Sequence, residues 1–336
     1  MKKKLFKIIV TILSFLLIIN VFTRIVLKKY YRTTARHFAS LAYIEKIKSQ
    51  SQIDYLIIGD STGLHTINSK LISGRTYNVC ISGASLLDTY KTLTLFDLSR
   101  IKKGIILTNS FNSKIHYGED FWKRFVLTNS YSIKDLSKIF NEDKTINIFP
   151  SNQFTPIEFY FTAIATKLLL NKYALEALSE YLKSLRWNVN FYQKYTLSYI
   201  ANNGFTTLVD PGTKFQLKDE EFFKQYFNFY SRPFQINVTD YYYLNKIYQI
   251  ASRGNLLLIM PLLPLADKAT NLNVTNFKDS YESYFKNYEI HHPGFILAPI
   301  KIELKRSDFF DFNHLNSEAA NKTTMALLKL LKKLKD

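Results

Sequence analysis

Residues 54–63 read DYLIIGDSTG, in which a short apolar run ends at Gly59 and is followed directly by Asp60 and Ser61. An isoleucine-rich run of this length that stops at a glycine is typical of a buried strand of a parallel sheet. Ligands of open α/β sheets bind at the carboxyl ends of the strands. The stretch therefore predicts a serine at the rim of a binding crevice, although Gly-Asp-Ser alone is also typical of a turn that caps a helix.

Strand and helix patterns alternate through much of the remaining chain. Helix-periodic residues follow the second apolar run, and the chain ends in an amphipathic helix at 317–334. This alternation predicts an α/β fold with a parallel sheet and helices on both faces. The predicted strands are 55–58, 77–81, 104–108, 255–260 and 295–302.

The stretch from about 118 to 238 interrupts this alternation. It is rich in Phe, Tyr, Asn and Lys, and it predicts a largely helical insertion or cap. Aromatic residues such as Tyr199, Tyr226 and Tyr230 are predicted to pack mainly in the core and the cap. Stacking on sugar rings is the alternative.

Composition and charge limit the function classes. The 336-residue chain is 47% hydrophobic, which is ample for a packed core and argues against disorder. Its net charge of +18 favours a position near an anionic surface such as phospholipid or an acidic polymer. No zinc-finger, basic-zipper or RNA-binding motif accompanies this charge, so nucleic acid is not a predicted partner. Cys80 is the only cysteine and no ligand-spaced pattern occurs, so no disulfide, metal site or cofactor is predicted.

The N-terminus carries the sequence features of a membrane anchor. Four lysines within the first seven residues precede a largely apolar run, Ile8–Phe22, which can span a bilayer together with its flanking residues. No small-x-small pattern follows, so an uncleaved anchor is favoured over a cleaved signal peptide. Basic residues on both sides leave its orientation open. We predict a cytoplasmic tail and transmembrane signal-anchor at 1–29, an amphipathic stalk helix at 30–50 and a globular domain at 51–336.

A second polar cluster, SDFFDFNHLNSEAAN at residues 307–321, has Asp311 three residues before His314. In a loop or a single turn, this spacing lets the carboxylate approach imidazole Nδ1 and leaves Nε2 to take a proton from a serine. A serine needs such a base because its hydroxyl is a weak nucleophile. The alternative is that His314 only enters the last helix, which Asn316 or Ser317 caps, while Asp311 lies in a solvated turn.

The two motifs together resemble the SGNH, or GDSL-like, hydrolase superfamily, in which a strand followed by Gly-Asp-Ser opens the domain and Asp-x-x-His precedes its last helix. The resemblance covers roughly residues 51–116 and 239–334. The anchor, the lone sheet domain and the run DFNHLNSEAAN are similar to membrane-anchored DltD-like proteins and to acyltransferases that O-acetylate alginate and other exported polysaccharides. This resemblance implies a three-layer, flavodoxin-like sheet of mainly parallel strands.

The resemblance implies a role for each matching residue. Ser61 corresponds to the nucleophile, His314 to the general base and Asp311 to the residue that orients this base. Gly59 and Asp60 complete the first motif.

The resemblance also implies an oxyanion hole. The backbone N–H groups of Ser61 and of Gly83, in the loop after the second predicted strand, correspond to two of its donors. The family's third donor is an asparagine in a Gly-x-Asn-Asp loop, which this chain lacks. The equivalent stretch IILTNSFNS offers Asn109 or Asn112 instead. In other hydrolases, losing one such donor slows turnover by on the order of a hundred- to a thousand-fold.

The other histidines have simpler interpretations. His65 lies one helical turn beyond Ser61, and a helix-surface position is favoured over the lining of a pocket. His291 and His292 are adjacent, and adjacent residues do not normally point the same way.

The predicted function is that of a membrane-anchored serine esterase or O-acyltransferase that acts on a cell-envelope polysaccharide, lipid or wall polymer. A basic, tethered enzyme suits an anionic polymer because its field raises the local concentration of that polymer. The N-terminal run predicts a single-pass location in the cell membrane, whereas the resemblance implies a catalytic domain outside the cytoplasm and an integral-membrane partner that supplies acyl groups. The alternative is a noncatalytic envelope assembly or scaffold protein that retains the fold, which the missing Gly-x-Asn-Asp loop favours.

Overall fold

A parallel sheet of five strands runs through the part of the chain that the computed structural model describes. The strands are β1 (Ile53–Gly59), β2 (Tyr77–Asn78), β3 (Ile101–Thr108), β4 (Leu257–Leu262) and β5 (Phe295–Pro299). Across the sheet they follow the order β2-β1-β3-β4-β5. Every residue of β1 is buried, as expected for an almost wholly apolar strand inside a parallel sheet. The predicted α/β fold with a parallel sheet is confirmed.

The chain divides into two compact units. One contains Met1–Ala39 and Ile115–Thr196, and the other contains Ser40–Lys114 and Leu197–Asp336, including the whole sheet. The described residues are 2–31, 36–109, 131–146, 155–168, 199–206, 218–263, 275–311 and 313–334, with the single residues 111, 126, 148 and 197.

The described helices are numbered in chain order: α1 (Lys2–Tyr31), α2 (Arg36–Ile47), α3 (Ser61–Thr66), α4 (Ser69–Ile72), α5 (Leu86–Leu93), α6 (Ile133–Ile146), α7 (Pro156–Leu168), α8 (Asp219–Tyr230), α9 (Val238–Arg253), α10 (Thr275–His291) and α11 (Ser317–Lys333). Local capping sets where several of them begin. Ser85 and Asp88 form a reciprocal capping box at the start of α5, and the Asn316 side chain caps α11. α11 packs against α3 and α4, so it lies beside the first turn after β1.

Helices α1 and α2 occupy the segments for which an anchor and a stalk are predicted. α1 includes most of the predicted anchor at 1–29. Judged over the described residues, no helix combines the length and the apolar character that crossing a membrane requires. α2 lies within the predicted stalk at 30–50, and its last turns bury Tyr43 and Ile47. Both assignments stay predictions.

The segment 199–206 covers the outer edge of the sheet at β2. The Asn78 N–H donates to the carbonyl of Asn203 at 2.8 Å, and the Tyr199 hydroxyl donates to the carbonyl of Asn78 at 3.3 Å. Gly204 has a φ of +87°, and a Cβ at this position would lie 1.8 Å from the Asn78 carbonyl oxygen. Only glycine permits such an approach, which pairs backbone groups that an edge strand otherwise exposes.

One hydrophobic cluster joins α8 to the chain on both sides of the Asp-x-x-His motif. Tyr226 is fully buried in this cluster, and Tyr199 is also fully buried, so for these two aromatic residues the predicted core packing is confirmed. The buried members of the cluster are Phe205, Phe222, Tyr226, Leu304, Phe309, Leu315, Ala319 and Ala320.

The end of β1 depends on Gly59. Gly59 is in register with Thr108, so the two strands stay paired to the last residue of each. Gly59 has a φ of +143°, and a Cβ there would lie 1.5 Å from the carbonyl oxygen of Thr108. A side chain is therefore excluded, and the chain turns directly into Asp60 and Ser61.

Gly59→Ala is expected to lower the free energy of unfolding by roughly 2–3 kcal/mol, because the methyl group forces the ends of β1 and β3 apart and the φ disfavours alanine. Chemical denaturation of the purified variant measures this loss. Gly74→Ala is the control, since a Cβ at Gly74 meets no atom within 4 Å. A change within about 0.5 kcal/mol is expected for the control. Equal stability of Gly59→Ala and the wild type would contradict the steric argument.

Candidate active site

Ser61 lies at the carboxyl edge of the sheet, as the first residue of α3. Asp60 is the N-cap of this helix, and its carboxylate accepts a hydrogen bond from the Thr62 N–H at 2.9 Å. The Asp60 N–H donates to the carbonyl of Thr108 at 3.1 Å, which ties the turn to the end of β3. The Gly-Asp-Ser motif therefore does cap a helix, and the same turn holds the serine at the rim.

His314 contacts Ser61 although the two residues are 253 positions apart in the sequence. Its Nε2 lies 2.9 Å from Ser61 Oγ. Asp311 approaches the other ring nitrogen, with Oδ2 at 2.7 Å and Oδ1 at 2.9 Å from Nδ1. The structure thus brings together the three side chains that the two motifs supply. Their arrangement is the one in which a histidine can activate a serine.

A tight turn, described at residues 308–311 and 313–316, holds the imidazole. The Phe310 N–H donates to the carbonyl of His314 at 2.8 Å, which closes the turn around the Asp-x-x-His spacing. Phe309 and Leu315 form an antiparallel bridge across the turn, and both belong to the hydrophobic cluster that includes residues of α8. Burial of these two side chains therefore anchors the turn that carries His314.

Hydrogen bonds keep Asp311 ionised. Burial by itself would raise the pKa of Asp311, but the hydrogen bond from the His314 side chain, the electrostatic attraction of that side chain and the backbone N–H groups of Asn313 and His314 outweigh burial. The pKa of this carboxyl is held below its usual value. An ionised carboxylate only accepts hydrogen bonds, so His314 Nδ1 carries the hydrogen and Nε2 accepts from the Ser61 hydroxyl.

Arg306 supports the same turn, and no sequence pattern singled it out. Its Nη1 donates to the carbonyl of Phe309 at 2.9 Å, and its guanidinium carbon lies 3.9 Å from the centre of the Phe222 ring. Asp219 Oδ1 lies 3.3 Å from its Nε. Burial lowers the pKa of Arg306, and the negative charges of Asp219 and Asp311 partly offset this effect. The cation in turn favours the ionised form of Asp311.

Gly83 lies in the turn after β2, at the same edge of the sheet as Ser61. Its φ is +73°, and the Ala84 N–H closes the turn on the carbonyl of Ile81 at 3.0 Å. The Ile81 N–H donates to the carbonyl of Gly59 at 3.0 Å, which holds this turn beside the end of β1. Glycine suits the position because a side chain is strained at this φ.

Asn109 directly follows β3, next to the turn that carries Ser61. Its Oδ1 accepts a hydrogen bond from the Phe111 N–H at 2.7 Å, whereas its Nδ2 is buried and has no hydrogen-bond partner among the described residues. Phe111 has a φ of +51°, which is strained for a residue other than glycine, and its ring packs on Phe234 and Phe285. An unpaired buried donor costs about 1–3 kcal/mol, so it requires an explanation. Asn112, the other candidate, lies outside the described residues.

His65 corrects one interpretation of the sequence. The residue is only 1% exposed, so the predicted helix-surface position is wrong. Its ring centre lies 5.1 Å from that of His314, with the two planes at 89°. Its Nδ1 lies 2.7 Å from the carbonyl oxygen of Thr206. The segment 199–206 covers His65, and this long-range contact has no local sequence signal.

The described side chains of the site offer a hydroxyl, a base and hydrogen-bond donors. Among the described residues there is no group of three or more His, Cys, Asp or Glu side chains suited to hold a metal ion.

No protein-family model matches the sequence, and no curated protein matches it.

Proposed function

We propose that this protein is a serine esterase or O-acyltransferase that works through a covalent acyl intermediate on Ser61. The observation that carries the proposal is the 2.9 Å contact between Ser61 Oγ and His314 Nε2, with Asp311 on the other ring nitrogen. A turn that only capped a helix would not need an oriented imidazole from the far end of the domain. The three side chains act as nucleophile, general base and orienting carboxylate.

The reaction begins when Ser61 Oγ attacks the carbonyl carbon of an acyl ester. The Oγ–C bond forms while the hydroxyl proton passes to His314 Nε2, and the carbonyl oxygen becomes an oxyanion. Collapse of this intermediate breaks the bond to the leaving alcohol, which takes the proton from Nε2. Water or an acceptor hydroxyl then gives its proton to Nε2 and attacks the acyl-enzyme, and Nε2 returns that proton to Ser61 as the acyl group leaves.

The oxyanion accepts hydrogen bonds from the backbone N–H groups of Ser61 and Gly83 and from Asn109 Nδ2. Asn109 Nδ2 is buried and has no hydrogen-bond partner in the part of the chain that the structure describes, and this supports the role, because a bound oxyanion would be such a partner. In other hydrolases, one such donor contributes about 2.7–4 kcal/mol to transition-state stabilisation. An asparagine directly after β3 would thus replace the one that the missing Gly-x-Asn-Asp loop supplies in the superfamily.

The order of the strands supports the finer assignment to a flavodoxin-like, SGNH-type fold. The order β2-β1-β3-β4-β5 is that of flavodoxin-like sheets, whose ligands bind at the switch point between the first and third strands. Ser61 follows β1 and Asn109 follows β3, so the proposed nucleophile and the proposed donor flank this point.

The proposed location is the cell membrane, with α1 as the anchor and the catalytic domain outside the cytoplasm. Exposed apolar side chains along α1 support an anchoring role, since lipid would cover them; they include Phe6, Phe15, Leu17, Ile18 and Phe22. The net charge of +18 supports an anionic substrate. The proposed substrates are a cell-envelope polysaccharide, lipid or wall polymer, with acyl groups delivered by an integral-membrane partner.

A fluorophosphonate probe, which reacts with activated serines, tests the proposal on membranes that contain the full-length protein and have been washed with alkaline carbonate. We expect the washed membranes to carry the label, and peptide mass spectrometry to find it on Ser61. Ser61→Ala should carry none, whereas Ser252→Ala, at an exposed position near the end of α9, should label like the wild type. An unlabelled wild type, under conditions that label a known serine esterase, would favour the scaffold alternative. Recovery in the soluble fraction would contradict the anchor.

A further inference from the structure

A buried histidine lies beside the proposed triad and takes no part in the proton transfers. His65 is four residues after Ser61 on α3, so the two side chains share one face of the helix. The His314 ring contacts both Ser61 and His65. Its Nε2 lies 2.9 Å from Ser61 Oγ, and its ring centre lies 5.1 Å from that of His65, with the planes almost perpendicular at 89°.

His65 is itself held in place by the segment 199–206. Its Nδ1 lies 2.7 Å from the carbonyl oxygen of Thr206, and a carbonyl only accepts hydrogen bonds, so Nδ1 is the donor. The Thr206 N–H donates to the carbonyl of Leu64 at 3.4 Å, next to His65 in the chain. The Thr206 carbonyl, which comes from another part of the sequence, therefore orients the His65 ring and requires a hydrogen on Nδ1.

The contacts of His314 with Ser61 and Asp311 hold its two ring nitrogens more firmly than they hold the orientation of its plane. The two nitrogens flank one carbon, Cε1, and an imidazole nitrogen forms its hydrogen bond close to the plane of the ring. The two hydrogen bonds resist a shift of the ring within its own plane. They only weakly resist a tilt of that plane about the line that joins the two nitrogens. The perpendicular His65 ring, with its centre at 5.1 Å, opposes tilting of the His314 plane toward it.

We propose that His65 is a positioning residue that holds the plane of the His314 imidazole in line with Ser61 Oγ. The inference rests on the proposed acyl-transfer function, since only a proton transfer requires this alignment. Misplacing a reacting group by about 1 Å can cost on the order of 100-fold in rate. Loss of the His65 ring should therefore slow the chemical step and leave binding unchanged.

Two substitutions test separately the ring contact with His314 and the hydrogen bond to Thr206. His65→Asn has an amide nitrogen at the place of Nδ1 and can keep the bond to Thr206, but it removes the ring. His65→Phe keeps a ring against His314 and leaves the carbonyl of Thr206 unpaired. If His65 has a purely structural role, the less stable variant should be the less active one. If His65 positions His314, the variant without a ring should be the less active one, whatever its stability.

The experiment measures labelling of the full-length protein by the fluorophosphonate probe, as the maximal rate constant kinact and the half-saturating concentration KI, together with the unfolding temperature. We expect His65→Asn to lower kinact by about 10- to 100-fold with KI unchanged. We expect His65→Phe to lower the unfolding temperature more than His65→Asn does, yet to keep kinact within about threefold of the wild type, because the ring contact survives. If His65→Asn does not fold, His65→Gln removes the ring in the same way.

His292 offers a matched control. Its ring stacks on Tyr288 at 3.7 Å, and its Nδ1 lies 2.8 Å from the carbonyl of the same residue, so it has the same two kinds of contact as His65. His292→Asn and His292→Phe should leave kinact unchanged. Unchanged kinact in His65→Asn, or losses in both His65 variants that follow their unfolding temperatures, would overturn the proposal. A wild type that does not label would instead refute the proposed function, and the role of His65 with it.

Discussion

His314→Gln is expected to slow the labelling of Ser61 by a fluorophosphonate by at least about 10⁴-fold. Glutamine has an amide nitrogen near the position of imidazole Nε2, so a hydrogen bond to Ser61 Oγ can persist. An amide does not accept a proton at neutral pH, so the serine loses its base. The second-order rate constant of labelling, followed by intact-protein mass spectrometry, measures the effect.

His292→Gln is the control for this prediction, since His292 lies just beyond α10 and contacts Tyr248 and Tyr288 instead of the site. It should label at the rate of the wild type. Unfolding temperatures of both variants test whether the folds are intact. A folded His314→Gln protein that labels as fast as the wild type would refute the assignment of His314 as the base.

Asp311→Asn is expected to lower the same rate constant by about 10⁴-fold, although it changes few atoms. The carboxylate accepts the hydrogen of His314 Nδ1 at 2.7 Å, which leaves Nε2 as the acceptor for the serine proton. An asparagine amide can donate to Nδ1 and so stabilise the other tautomer, in which Nε2 carries the hydrogen. That tautomer cannot take the proton. A loss of less than about tenfold would show that Asp311 does not set the tautomer.

The same variant makes a prediction about stability and pH. The pKa of Asp311 is lower in the folded protein than its usual value, so its carboxylate contributes stability above the unfolded pKa of about 3.9. That contribution is lost as the pH falls through the folded pKa. Asp311→Asn should therefore be less stable than the wild type at pH 7, and the difference should shrink below about pH 4. Denaturant unfolding at both pH values measures it, and a difference that does not change with pH would contradict the prediction.

Most of the sheet is predictable from local sequence, because a strand buried on both faces has to be apolar along its length. The predicted strands at 55–58, 104–108 and 255–260 correspond to β1, β3 and β4. The run 77–81 is apolar enough to predict a longer strand than β2, which comprises only Tyr77–Asn78. Beyond Asn78, the N–H groups of Val79 and Ile81 still donate hydrogen bonds to carbonyls of β1. The chain then bends into the turn that carries Gly83.

The local sequence is enough to predict the chemistry available at the candidate site. A serine two residues after a buried strand, and a carboxylate three residues before a histidine, are local patterns, and local spacing limits where such side chains can lie. Three features follow from the fold instead: Ser61 meets His314, His65 is buried beside them, and Asn109 Nδ2 is buried without a hydrogen-bond partner among the described residues. Each of these depends on contacts between segments distant in the chain, and burial and packing in the folded protein bring such segments together.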